Sequence, residues 1–407
     1  MKSALYLLLI LCLGLLPACS TGGSAPTAPG AASPASDPTS IPCIDARQPT
    51  PVADAASLFP PVSASDHVRG DPGAAVTILV YSDFQCASCA KLALLLNSYV
   101  EKYAPDVRVV FRHFPLDSLH DKAKLAAQAA EAADRQGKFW EMHDLLFSQQ
   151  AKWQEKAPAE FQTWAVEQAA SLGLDAARFS TDLTSPEIAA LAQKAWESGQ
   201  AIQLPGAPVI LINGEIIKWQ ATLFEQLESI VLLDRLAKRQ FSTCPPQVID
   251  LHKAYTAHLK TSRGEVTLRL YPDRAPQTVN NFVFLARQGW YENVPFFRVV
   301  PGFVARTGDP SGTGLGGPGY FIVDEKYPAL QFDKAGVVGM VNVGPNTNGS
   351  QFFITLGPAP QLNGSYTIFG QVTSGQEVLT QLTARDPAAG GTLPEPDLLL
   401  SVTVTED

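Results

Sequence analysis

The chain is predicted to fold as two domains in series: an α/β domain with a helical insertion, then a closed antiparallel β-barrel. Three observations support this. The chain has 407 residues, more than one ordinary hydrophobic core serves and about right for two. Residues 44–244 set β-branched runs around a long stretch with helical spacing. From 245 to 407 short strands divided by Gly and Pro dominate, with one clear helix, a pattern that favours a sheet closing on itself.

Residues 1–19 read as a leader. Lys2 precedes an apolar run, 4–16, too short to span a bilayer but suited to a secretory signal. The run ends in Leu16-Pro17-Ala18-Cys19, which resembles the lipobox of bacterial lipoproteins. That resemblance implies acylation of Cys19, a lipid anchor, and an extracytoplasmic, membrane-bound location on the cell surface or periplasmic side. Residues 20–43 are almost wholly Ser, Thr, Gly, Ala and Pro, and a disordered tether is expected there. The net charge of −9 argues against nucleic acid as a partner. The six histidines are scattered without paired metal spacing and no Gly-rich phosphate loop occurs. Neither a metal nor a cofactor is expected.

Six cysteines fall at 12, 19, 43, 86, 89 and 244. Cys12 leaves with the leader and Cys19 is taken by lipid. Cys86 and Cys89 form a CxxC pair, while Cys43 and Cys244 bracket the first domain. In an oxidising compartment these outliers are expected to form a structural disulfide; two free thiols are the alternative.

In the first domain, Ala75 to Phe84 has strand character and leads through Gln85 into Cys86-Ala87-Ser88-Cys89. Ala90 to Tyr103 has helical spacing, so Cys86 sits at a helix N-terminus, where unpaired N–H groups and the dipole favour a thiolate. A strand over Val107–Phe111 is followed by helices over Lys122–Gln136, Lys138–Phe147, Ala159–Leu172 and Pro186–Ser198. Val209–Ile212 is a strand, Asn213-Gly214 signals a hairpin to Glu215–Lys218, and Leu223–Lys238 closes the domain as a helix. By itself the CxxC is compatible with a redox dithiol, a structural disulfide or half a zinc site.

Ser82-Asp83-Phe84-Gln85-Cys86, the helical insertion and Gly206-Ala207-Pro208 together resemble the DsbA-like branch of the thioredoxin superfamily. That resemblance implies a thioredoxin fold, Cys86 as attacking thiol, Cys89 as resolving thiol, and Ala207 and Pro208 as a substrate-binding edge beside them. Pro208 matches the family's cis-proline, and a membrane redox partner is implied. The inner dipeptide Ala87-Ser88 departs from the family's usual Pro-containing pair. Oxidase, isomerase and reductase are therefore not separated by the motif.

In the second domain, strands are expected over Thr256–Thr261, Glu265–Tyr271, Phe296–Val300, Phe303–Thr307, Gly319–Val323, Val337–Asn342, Phe352–Leu356, Thr367–Val372 and Leu398–Thr405. Pro276 opens a helix running to Gly289. Val341 to Ile354 (VNVGPNTNGSQFFI), Ala275-Pro276-x-Thr278-Val279-Asn280-Asn281-Phe282 and Pro301-Gly302-Phe303 resemble cyclophilin-type peptidyl-prolyl isomerases. The resemblance implies a cyclophilin-like barrel that needs no cofactor. It assigns catalysis to Arg298, and substrate contacts to Phe303, Val304, Arg306, Asn342, Gln351, Phe353, Leu362 and Tyr366. Four matched positions depart from the better-known eukaryotic members. Phe297 stands where His often precedes the arginine, Arg306 where Gln usually sits, Gln361 in place of Trp, and Tyr366 in place of His. The third predicts weak cyclosporin sensitivity, and the second predicts altered substrate contacts.

The two resemblances together imply an extracytoplasmic folding catalyst that isomerises X–Pro bonds and exchanges disulfides. Its partners would be unfolded or partly folded exported polypeptides. The alternative is a non-catalytic chaperone or client-binding lipoprotein.

Overall fold

The computed structural model describes residues 40–47, 59–217 and 223–406. The leader, Cys19 and residues 20–39 of the expected tether lie outside the described residues.

From Ser40 the chain departs from a disordered tether. Ser40 bridges Pro246, the Ile41 N–H donates to the Pro245 carbonyl, and Ile41 is buried. Cys43 is bonded to Cys244, with Cα atoms 5.5 Å apart. β1 (Ile44–Asp45) pairs antiparallel with Tyr320–Phe321, and Ile41 packs against Tyr320 and Ile322. Residues 40–47 thus form a strap on the second domain. This corrects both the tether (20–43) and the first domain (44–244) as bounded from sequence. The physical reason is an open strand edge at 320–321, whose backbone groups the strap satisfies.

The first domain proper holds β2 (His67–Gly70), β3 (Val76–Ser82), α1 (Ala87–Tyr103) and β4 (Val107–His113). The helical insertion follows as α2 (Ala123–Asp134), α3 (Phe139–Ser148), α4 (Gln150–Trp153), α5 (Pro158–Ser171), α6 (Ala176–Leu183) and α7 (Pro186–Ala201). β5 (Val209–Ile212), β6 (Glu215–Ile217) and α8 (Leu223–Ala237) complete it. The sheet runs β2-β4-β3-β5-β6, with β3 and β4 parallel and the other pairs antiparallel. Alternation along the central strand sends Ile78 and Val80 to one face, where Leu92, Leu96 and Tyr99 of α1 and Leu227 of α8 cover them. Leu79 and Tyr81 face the other way, against Phe114 and Leu204. The insertion packs around Met142, Leu146, Trp153 and Phe179 in a cluster that also takes in Phe84, Cys86, Cys89 and Phe111.

The second domain holds β7 (Tyr255–Thr261), β8 (Gly264–Leu270), α9 (Pro276–Arg287), β9 (Val294–Pro295), β10 (Arg298–Val300) and β11 (Val304–Thr307). β12 (Tyr320–Phe321), β13 (Val337–Met340), β14 (Phe352–Thr355), β15 (Ile368–Ser374) and β16 (Leu398–Glu406) follow. Nine of these strands form one antiparallel sheet in the order β10-β11-β14-β13-β15-β8-β7-β16-β9. The expected closed barrel is corrected here: the sheet is a half-barrel, and among the described residues its end strands β9 and β10 do not pair. The run expected as one strand, Phe296–Val300, breaks at Phe296-Phe297, and this corner joins the two ends of the sheet. β12, expected within the barrel, pairs instead with the strap.

α9 fills the sheet's concave face with Val279, Phe282, Val283 and Leu285. Its N-terminus is held by the Glu325 carboxylate, which accepts from the Gln277 N–H (3.0 Å), the Thr278 N–H (2.7 Å) and the Thr278 hydroxyl (2.7 Å). Leu236 of α8 and Phe241 of the joint pack into the same cluster. A Cβ at Gly316 would strike Leu236 and Asp309. Among the described residues no helix is long and apolar enough to cross a membrane.

Candidate active sites

The first site lies at the start of α1. Cys86 is the N-cap, and its sulfur accepts the Cys89 N–H at 3.3 Å. It also lies 3.1 Å from the Ser88 hydroxyl and 3.5 Å from the Ala207 carbonyl oxygen. The Ala207–Pro208 peptide is cis, so the structure brings Cys86, Cys89, Ala207 and Pro208 together. Both thiols are free. The Cys89 thiol, first, and then Ser88 and the Cys89 N–H lower the Cys86 pKa to about 6, against the opposing effects of burial and Asp83. Burial, and next Cys86 itself, push the Cys89 thiol well above its ordinary range. The two thiols are thus pushed in opposite directions, so that a thiolate forms more readily on Cys86 than on Cys89. Ser88, in the unusual dipeptide, supplies one of the stabilising hydrogen bonds.

The loop is braced by groups the sequence reading did not single out. The buried Asp83 carboxylate accepts from the Gln85 and Leu116 N–H groups and faces His120 Nδ1 at 2.9 Å. The Gln150 amide donates to the Phe84 and Cys86 carbonyls. The expected absence of metal spacing is a statement about sequence only, because tertiary structure gathers His67, His113 and Glu131. Glu131 Oε1 lies 2.8 Å from His67 Nε2 and 2.9 Å from His113 Nε2. These ligand atoms lie within 4.8 Å of one another. His113 Nδ1 is buried without a hydrogen-bond partner, while its Nε2 faces the carboxylate. Hydrogen bonds from both rings keep the Glu131 carboxyl well below the usual carboxylate range despite burial.

The second site is a row across the half-barrel. Arg298 on β10 stands opposite Arg306 on β11, which stands opposite Phe353 on β14. Directly opposed residues share a sheet face, so both guanidiniums line the same surface as Phe353 and, two residues on, Val304. Val299, Ala305 and Ile354 point the other way into the core. Val304 and Phe353 are buried in an apolar cluster against which Phe303, Leu362 and Tyr366 pack. Phe332, missed from sequence, backs Phe353 with ring centroids 5.3 Å apart. Tyr366 meets Phe353 edge-on at 5.4 Å. All the expected pocket residues therefore come together.

Their polar neighbours are arranged differently from expectation. Arg298 Nε donates to Asp386 Oδ1 at 3.0 Å, a partner 88 residues away that no local signal announces. Gln351, expected to contact substrate, is buried and engaged. Its amide donates to the Gly314 and Gly316 carbonyls, and its Oε1 accepts Arg306 Nε at 3.1 Å and Nη2 at 2.5 Å. Arg306 also lies over the Phe297 ring, 5.1 Å from its centroid. Asn342 donates to the Ser365 carbonyl. The close approach behind the row needs glycine: at Gly308, φ is +91° and a Cβ would strike the Ser350 carbonyl oxygen.

Family models match in two places. Residues 256–404 match the cyclophilin type peptidyl-prolyl cis-trans isomerase/CLD model, and residues 63–231 match the model described as thioredoxin. A peptidyl-prolyl cis-trans isomerase-like 1 protein of Aspergillus fumigatus is 51% identical over 125 residues, 30% of this chain and 78% of that one. The chain belongs to the cyclophilin-type peptidyl-prolyl isomerase family. A peptidyl-prolyl cis-trans isomerase-like 2 protein of Cryptococcus neoformans is 45% identical over 161 residues, 38% of this chain and 28% of that one. A cyclophilin-type isomerase structure from Cryptosporidium parvum is 33% identical and covers 38% of this chain, with a TM-score of 0.35. The cyclophilin-type domain is thus joined to a thioredoxin-like domain with a CxxC at its helix N-terminus.

Proposed function

We propose that the chain catalyses cis–trans isomerisation of X–Pro bonds, with Arg298 as the catalytic cation and Phe303, Val304, Phe353, Leu362 and Tyr366 as the proline pocket. The single observation that carries this reading is the row Arg298–Arg306–Phe353, which sets a guanidinium beside an apolar pocket on one sheet face. Rotation about the imide must pass a barrier of roughly 18–20 kcal/mol. A guanidinium that hydrogen-bonds the prolyl nitrogen favours its pyramidal, non-conjugated form, which exists only near the transition state. The bond that forms is a hydrogen bond, so no cofactor is called for. In an exchange assay on an Ala-Pro peptide, Arg298→Ala should lower kcat/KM about 10²-fold. Equal rates for the two proteins would favour the binding-only alternative.

The thioredoxin-like domain is proposed to exchange disulfides in the manner of the DsbA-like branch. The Cys86 thiolate attacks one sulfur of a client disulfide and expels the other as thiolate. Cys89 then loses its proton and attacks Cys86 Sγ, forming the Cys86–Cys89 disulfide, breaking the mixed disulfide and releasing the second client sulfur, which takes up a proton; the client leaves as the dithiol and the CxxC is oxidised. The lowered pKa of the Cys86 thiol and the adjacent Ala207 carbonyl support this. A Cys89→Ser variant should accumulate mixed disulfides with unfolded exported polypeptides; their absence would sink the reading. Cys19 is proposed to carry lipid and to hold the chain at the outer side of a bacterial membrane near a redox partner. The Leu16–Cys19 motif and the Cys43–Cys244 bridge, a device of oxidising compartments, favour this. Radiolabelled palmitate should enter the wild-type protein and not Cys19→Ala.

A further inference from the structure

The isomerase groove carries a guanidinium, Arg306, with which no carboxylate forms an ion pair among the described residues. Arg298 and Arg306 stand directly opposite each other on neighbouring strands. Like charges in that register repel and destabilise the pair. Asp386 ion-pairs with Arg298. Arg306 has no such ion pair: its direct partners are the Gln351 oxygen, the Gly314 carbonyl and the Phe297 ring, all uncharged, and the Asp309 carboxylate acts on it only at longer range. Burial first, and then Arg298, lower the Arg306 pKa, against the weaker opposing effects of Tyr366 and Asp309. Among the described residues the two guanidiniums therefore share one ion-paired carboxylate, within a chain whose net charge is −9.

We propose that Arg306 selects acidic clients: polypeptide segments with an Asp or Glu side chain within two residues of the proline. Its forked donors suit a carboxylate. Gln351 grips Nε and Nη2 from one side, which fixes the plane of the guanidinium and leaves Nη1 for a ligand. Phe297 beneath it keeps the group from folding away. A client carboxylate would complete a second ion pair beside Arg298–Asp386 and relieve the cross-strand repulsion. A basic client residue in the same place would add a third cation. The sheet row thus supplies both attraction and rejection, the two components of specificity. This inference rests on the proposed isomerase site and names its substrate class.

The test is binding by fluorescence anisotropy with labelled peptides that differ only in Glu, Gln or Lys next to an Ala-Pro unit. For the full chain, the Glu peptide should bind about tenfold more tightly than the Gln peptide at low salt, and the Lys peptide more weakly than either. The Glu advantage should shrink at 0.5 M salt, a condition that screens exposed charges. Arg306→Gln should abolish it, and Arg306→Lys should keep part of it. Equal affinity for Glu and Gln peptides overturns the inference, as does a Glu advantage that survives in Arg306→Gln. Failure of every peptide to bind overturns the isomerase reading beneath it, so the two failures are distinguishable.

Discussion

At the scale of single residues, what decides the chemistry is which atom of a side chain is already engaged. Arg298 is anchored through Nε by Asp386, and this leaves its terminal nitrogens to meet a substrate. Asp386 is a positioning residue under the proposed function. Asp386→Asn should lower kcat about 3- to 10-fold while KM changes little; a change in KM alone would count against that role. Cys86 is set by its neighbours in the same way. Its folded pKa, about 6, lies below the ordinary thiol value of 9.0. A depressed acid stabilises the folded, reduced protein above its unfolded pKa, and that stability is lost as pH falls through about 6. Melting temperatures of reduced and oxidised protein measured from pH 5 to pH 8.5 should therefore diverge, with the reduced form gaining. Monobromobimane should label Cys86 with an apparent pKa near 6 and leave Cys89 unmodified.

At the scale of elements, local signals were legible where they were self-contained. Strand, CxxC and helix were readable because β-branched residues, then a cap, then i, i+4 spacing follow one another without a break. The helix begins at Ala87, earlier than the Ala90 that apolar spacing indicates, because Cys86 itself acts as the cap. β2, only His-Val-Arg-Gly, was invisible: it is short and polar and gains its identity from pairing with β4. The cap of α9 was invisible for a similar reason, since Glu325 reaches it from 47 residues away. Removing that carboxylate in Glu325→Ala should cost about 1 kcal/mol of stability, read by urea denaturation. A value indistinguishable from zero would show that solvent caps the helix equally well.

At the scale of the whole molecule, the two domains share structure that a boundary at 244/245 divides. Leu236 lies in the first domain's last helix yet belongs to the second domain's apolar cluster. Leu236→Ala should cost about 2–4 kcal/mol, and the loss should appear in unfolding of the cyclophilin-type domain. The strap adds a covalent constraint: Cys43 and Cys244 are 201 residues apart in sequence. In the chain-entropy view, closing so long a loop stabilises by up to roughly 5 kcal/mol. The pair Cys43→Ser with Cys244→Ser should lower the melting temperature without touching the Cys86–Cys89 chemistry. Unchanged stability would mean that β1–β12 pairing and Ile41 packing hold the strap alone.

The sequence by itself determined the two domains, the pocket residues Phe303, Val304, Phe353, Leu362 and Tyr366, and the place of Cys86 at a helix start. The domains and the place of Cys86 depend on periodicity or adjacency, which a linear chain displays directly; the pocket residues rest on the resemblance to cyclophilin-type isomerases. Only the tertiary structure decided what those residues touch. It opened the expected barrel into a half-barrel, because residues 296–297 turn a corner and the end strands β9 and β10 on either side of it do not pair among the described residues. It moved residues 40–47 onto the second domain, because an open strand edge at 320–321 needed hydrogen bonds. It tied Arg298 to Asp386, used up Gln351 on Arg306, and left Arg306 without an ion-paired carboxylate among the described residues. Electrostatic balance depends on distance in space, and residues 8, 45 and 88 positions apart reveal that distance only once the sheet has formed.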